Sequence, residues 1–139
     1  GQYLDLSYEK RKVSKKKIID MEIKKTGKLF SFCCAAPAII KKKNNKEIKF
    51  FENLGSKIGL LFQIADDLID FHGNSKSAGK QTGKDQKKGK ATLISLMGYT
   101  NAVKYCDSII IDTNKTLKKY GSKSKNIKNT LEYILKRDR

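Results

Sequence analysis

Apolar residues recur at spacings of three and four along the centre of the chain: Ile48, Phe51, Leu54, Ile58, Leu61, Phe62, Ala65 and Ile69. That period predicts one long helix from Glu47 to about Phe71. Upstream, Ile18, Ile19, Met21, Leu29, Phe30 and Phe32 give residues 18–40 the apolar content of one helix or two. The only proline, Pro37, marks a break or kink there. Between these stretches the run KKKNNK, Lys41 to Lys46, predicts an exposed turn or linker. Residues 1–20 mix polar and apolar positions without clear alternation, and the charged stretch from Glu9 to Lys17 reads as a loop or a helix start. Residues 72–90 are rich in glycine and lysine with almost no apolar content, which predicts a long mobile loop. Three shorter helices are expected at 91–98, 101–120 and 125–137, the last two separated by Gly121 to Lys125. Ile127, Leu131 and Ile134 read as packing positions. No segment alternates as a strand of useful length, and there is no internal repeat. The expected fold class is all-α, an antiparallel helical array with short connections.

Length and composition narrow this picture. With 139 residues and 15.8 kDa, the chain suits one domain or part of a larger one, and can bury a real core. The stretch from Ile58 to Phe71 is the longest apolar helical candidate, yet it carries three aspartates, so no transmembrane segment is expected. Cys33, Cys34 and Cys106 form an odd set without C-x-x-C spacing; they read as reduced thiols packed as small apolar groups. The net charge of +17 suggests a polyanionic partner: nucleic acid, an anionic surface or a phosphorylated substrate. Only Arg11, Arg137 and Arg139 are arginine, and the other basic residues are lysine. Base readout and bidentate phosphate clamps favour arginine, and no aromatic stripe interleaves with the lysines. No nucleic-acid partner is therefore expected, and most of the charge reads as solvated surface.

The informative segment is Phe62-Gln63-Ile64-Ala65-Asp66-Asp67-Leu68-Ile69-Asp70. On a helix Asp66 and Asp70 share a face, and Gln63 lies one turn before Asp66. Two stacked carboxylates repel when ionised, while Ile64, Ala65, Leu68 and Ile69 argue that this helix is largely buried. A divalent cation would compensate, and magnesium prefers oxygen ligands, binding through one or two carboxylates, waters and substrate phosphates. Lys80, Lys84, Lys87, Lys88 and Lys90 follow at once, with glycines at 79, 83 and 89. Carboxylates that hold metal, metal that holds phosphate, and lysines that neutralise the remaining phosphate oxygens form a coherent set. Lys25-Thr26-Gly27 supplies a second lysine signal inside a helical stretch. His72, the only histidine, is expected to cap the end of the long helix.

Residues 59–96 resemble the second aspartate-rich region of trans-isoprenyl diphosphate synthases, the farnesyl and geranylgeranyl diphosphate synthases. The pattern F-Q-x-x-D-D-x-x-D, then G-K, G-x-D and G-K-x-T, is present in order. Upstream, Gly1-Gln2 with Asp5 resembles the end of the family's G-G-Q-x-x-D signature, and Lys25-Thr26-Gly27 its K-T-G element, so the resemblance covers essentially all 139 residues. It implies the C-terminal part of the isoprenoid synthase fold, long helices around a deep cavity, usually in a homodimer. It also implies head-to-tail prenyl transfer. An allylic diphosphate ionises and loses pyrophosphate, isopentenyl diphosphate attacks the allylic cation, and a proton is lost. By the same resemblance Asp66 ligates Mg2+, with Asp67 and Asp70 assisting directly or through water and Asp85 orienting metal-bound waters. Lys25 and Lys80 bind the allylic diphosphate, Lys90 is a further candidate, and Gln63 and Thr26 lie beside the reacting diphosphate.

One part of the family pattern is not found. The family faces two aspartate-rich motifs across its cavity, and the other acidic residues here are scattered. The expectation is a single partial domain over 1–139, with the N-terminal helices missing and the isolated chain inactive. Exposed apolar faces and aggregation are also expected. A cytoplasmic parent enzyme is expected, and the residues that set product length lie outside this chain. Two other readings stand beside it: a truncated, non-catalytic partner subunit of a synthase, and a lysine-rich binder of anionic surfaces or nucleic acid.

Overall fold

The computed structural model describes residues 1–72 and 89–136. Every regular element among them is helical: α1 (Gln2–Ser7), α2 (Lys15–Glu22), a π-helical turn (Ile23–Gly27), α3 (Lys28–Ile40), α4 (Asn45–His72), α5 (Leu93–Met97), α6 (Tyr99–Leu117), a 3-10 segment (Lys118–Ser124) and α7 (Lys125–Lys136). The all-α expectation holds, and the long central helix falls within two residues of its expected ends. The loop expected at 72–90 lies, but for its ends, outside the described residues. So do Lys80, Lys84, Asp85, Lys87 and Lys88, and the capping role given to His72. No helix among the described residues is long and apolar enough to cross a membrane.

Residues 18–40 resolve into α2 and α3, joined without a break through the π turn. Helix α2 begins inside the charged stretch because it is amphipathic: Lys15, Lys16 and Lys17 are exposed, while Ile18 and Met21 are buried. Helix α3 runs through Pro37 to Ile40, so the chain does not break there. An interior proline costs about 3 kcal/mol. The packed face of α3, with Ser31, Ala35 and Ala38 buried, offsets that cost. The helix stops at the lysine turn, where Lys42 takes φ 50° and the Lys43 amide reaches back to the Ala38 carbonyl at 2.9 Å.

Helices α3 and α4 form an antiparallel pair packed backbone against backbone. A Cβ at Gly59 would lie 2.6 Å from the Cα of Gly27, and one at Gly55 would lie 2.3 Å from the Phe30 carbonyl oxygen. This close approach fixes the register of the π turn against the third and fourth turns of α4. The core lies on the other side of α4, where Leu61, Ile64 and Leu68 meet Ile18, Met21, Leu93, Cys106 and Leu131. Helix α5 starts in a reciprocal cap, Ser95 N–H to Thr92 Oγ1 and Thr92 N–H to Ser95 Oγ. Of the three thiols only Cys106 is fully packed; Cys34 is half-buried and Cys33 is exposed.

Candidate functional site

Polar side chains converge where α1, the π turn and the C-terminal half of α4 meet. The π turn places Lys25 and Thr26 on successive positions of a widened helix, a geometry frequent at functional sites. Gly1 lies against it: a Cβ there would sit 2.2 Å from the Lys25 amide nitrogen, so only glycine lets the chain pass this close to the turn. Helix α1 then delivers Asp5, whose Oδ2 receives the Lys25 ammonium at 2.7 Å. This pair is largely out of water, with side-chain exposures of 21% for Lys25 and 8% for Asp5.

A second chain of hydrogen bonds crosses from the π turn to α4. The Thr26 hydroxyl donates to Gln63 Oε1 at 2.8 Å, and Gln63 Nε2 donates to Asp67 Oδ1 at 3.0 Å. Both ends of the Gln63 amide are thus occupied and its plane is fixed. Asp67 is buried, whereas Asp66 is exposed on the neighbouring side of the helix. Further along, Asp67 and Asp70 line a small cavity of about 40 Å³ with Lys90, Thr92 and Ser95. Lys90 is brought there by the residue before it: Gly89 takes φ +67° and its carbonyl accepts the Lys10 amide at 2.8 Å.

Glu22 lies among these groups. It is 3% exposed, and its Oε2 has no hydrogen-bond partner among the described residues. Burial pushes its carboxyl up from 4.5 to about 8; the charges of Asp67 and Asp5 act in the same direction, and Lys25 and Lys90 oppose them. A buried acid with a displaced pKa beside other charges is a mark of a functional site.

The structure therefore brings together Lys25, Thr26, Gln63, Asp67, Asp70 and Lys90 from the sequence-derived set, and leaves Asp66 on the open side of the same helix. Lys80 and Asp85 lie outside the described residues. Sequence reasoning missed Glu22, and it placed Asp5 in the G-G-Q-x-x-D signature without giving it a role in the site. Glu22 did leave a signal, since it sits with Ile18 and Met21 on the buried stripe of α2, where a carboxylate is out of place.

The donors suit a hard cation and a phosphorylated ligand. Among the described residues no three acidic, histidine or cysteine side chains are placed to share one metal. The protein can offer a magnesium ion one or two carboxylates at a time, which is the usual share when waters and phosphate oxygens supply the rest. The cavity beside Asp67 and Asp70 has room for water. Lys90 lines that same cavity, and Lys25, paired with Asp5, adds a second cationic head nearby.

Comparisons with known proteins bear on the family and the fold. The family model for polyprenyl synthetase matches residues 1–134. The chain is similar to the farnesyl diphosphate synthase of Micrococcus luteus, 30% identical over 139 residues, which is 100% of this chain and 48% of that protein. In structure it is similar to a decaprenyl diphosphate synthase from Rhodobacter capsulatus, with TM-score 0.76 and 20% identity over 99% of this chain and 55% of that one. It is also similar to the geranyltransferase from Helicobacter pylori complexed with magnesium and isoprenyl diphosphate, with TM-score 0.70 and 21% identity over 96% of this chain and 44% of that one. These two structural likenesses establish the fold. The chain spans less than half the length of the Micrococcus luteus protein.

Proposed function

The chain belongs to the polyprenyl synthetase family, and on that premise we propose that its polar cluster is one side of a magnesium-dependent prenyl-transfer site of the farnesyl or geranylgeranyl type. The substrates on this reading are an allylic diphosphate and isopentenyl diphosphate. The observation that carries it is the hydrogen-bonded chain Thr26–Gln63–Asp67, which ties the K-T-G element to the D-D-x-x-D helix. Neither motif alone would hold a diphosphate against a metal; together they set cationic and acidic groups on one rim.

The barrier to ionising an allylic diphosphate is charge separation, so preplaced positive charge facing the departing pyrophosphate lowers it. Lys25 supplies such charge and is held in place by Asp5. Lys90 extends it, and by the family resemblance Lys80 would do so too. The Thr26 hydroxyl proton is committed to Gln63, so engaging a phosphate oxygen exchanges one hydrogen bond for another. Asp66, Asp67 and Asp70 would hold magnesium, which when bound supplies positive charge to the leaving group, and Asp85 would orient its waters.

The 139 residues contain one D-D-x-x-D cluster. We therefore expect no turnover from these residues alone, and a complete homodimeric enzyme would need a facing cluster. Isothermal titration of the chain with pyrophosphate tests the reading. Binding should require magnesium and disappear in Asp66→Ala. Binding that ignores both magnesium and Asp66→Ala would overturn it.

A further inference from the structure

At the other end of the α3–α4 pair lies a second feature, unrelated to the polar cluster. Helix α3 spans 13 residues, so the two ends are about 20 Å apart. There α3, α4 and α7 enclose a groove of about 390 Å³, within the 300–1,000 Å³ or so typical of small-molecule sites. Its floor is made by buried Ala38 and Leu54, and its walls by Pro37, Phe51 and Ile127. Cys33 and Cys34 line it from α3. Among the described residues no carboxylate or amide side chain lines the groove; its charged lining residues are Lys41 and Lys43.

The surroundings extend this pattern. Lys42 of the same turn and Lys46 at the start of α4 are exposed. Glu47 offsets Lys43 only across an exposed 4.0 Å pair, a contact worth little. The result is an apolar slot with a cationic rim.

We propose that this groove binds an anionic amphiphile, with its hydrocarbon chain on Phe51, Leu54 and Ile127 and its phosphate or carboxylate head on Lys41 and Lys43. A neutral apolar ligand would leave the lysines idle. A polyanion such as DNA would leave the floor idle. An anionic head on one chain uses both, and the inference is independent of the reaction proposed above.

The groove carries its own reporters, since Cys33 and Cys34 line it while Cys106 is buried. The test is the rate of thiol alkylation in the full chain, with dodecyl phosphate as the probe below its micelle concentration. Dodecyl phosphate should slow alkylation of Cys33 and Cys34 saturably, whereas dodecanol and inorganic phosphate should not. Lys41→Glu/Lys43→Glu, at exposed positions that leave the circular dichroism unchanged, should weaken protection by about tenfold or more. Ile127→Asp, which puts charge on the wall, should abolish it. Equal protection by dodecanol or duplex DNA, or protection unmoved by charge reversal, overturns the proposal. Vesicles containing phosphatidylglycerol that protect where phosphatidylcholine vesicles do not would identify a membrane lipid as the source. Protection by the free amphiphile alone would identify a soluble one.

Discussion

Replacing Glu22 by glutamine should stabilise this protein at alkaline pH. The glutamate is 3% exposed, with one carboxylate oxygen unpartnered among the described residues and its pKa raised from 4.5 to about 8. Below about pH 4.5 the carboxyl is protonated in both folded and unfolded chains, and its ionisation costs the fold nothing. As the pH rises from there to about 8, the unfolded chain releases the proton while the folded chain keeps it, so stability falls. Above pH 8 the folded chain must carry a buried charge and the loss is complete. At about 1.4 kcal/mol per pH unit, the interval from 4.5 to about 8 corresponds to a loss of about 5 kcal/mol. Glutamine keeps the volume, cannot ionise, and offers both a donor and an acceptor. The measurement is urea unfolding by circular dichroism with chelator present, for both proteins at about pH 5, 7 and 9. The two should be similar at the lowest pH, and the variant should gain steadily, by several kcal/mol at the highest. Lys25, Lys90, Asp5 and Asp67 are common to both proteins, so the difference reports the ionisation of Glu22 together with its interactions with them. A difference that is flat with pH, or one favouring glutamate at high pH, would refute the assignment of a buried, neutral-preferring acid.

Three further outcomes follow from the same structure. Gly55→Ala puts a Cβ 2.3 Å from the Phe30 carbonyl oxygen and should cost about 3 kcal/mol; an unchanged melting temperature would mean that α3 and α4 are not this close. Lys25→Met strips the partner from buried Asp5 and should cost about 3 kcal/mol. Asp5→Asn in the same chain should recover most of that loss, and simple additivity in the double-mutant cycle would rule out the pair. Lys42→Gly removes a side chain from a φ of 50° and should raise stability by about 1 kcal/mol, read from the same unfolding curves; a loss instead would show that the Lys42 side chain makes a contact that outweighs its backbone strain.

The sequence by itself located the longer helices, though not α1, and named most of the side chains that meet in the cluster. Period three-and-four apolar spacing is a local property, and it located α4, α6 and α7 because burial of one stripe is what holds each helix in place. The D-D-x-x-D and K-T-G strings were legible because each places its chemistry within a turn or two of helix. Tertiary structure decided what spacing cannot express. Pro37 reads locally as an interruption, but the face that α3 presents to α4 outweighs its cost. Gly27, Gly55 and Gly59 look like weak points in helices until two backbones are seen to touch there. Glu22 and Lys25 lie a turn apart, but Asp5 comes from another helix, and only the close approach of α1 to the π turn at Gly1 makes it their neighbour. Gln63 meets Thr26, 37 positions away, because close packing of the helix pair sets the two side chains opposite each other. Local periodicity says which face is buried; what a buried polar group meets there depends on partners distant in sequence, and only the packed chain supplies them.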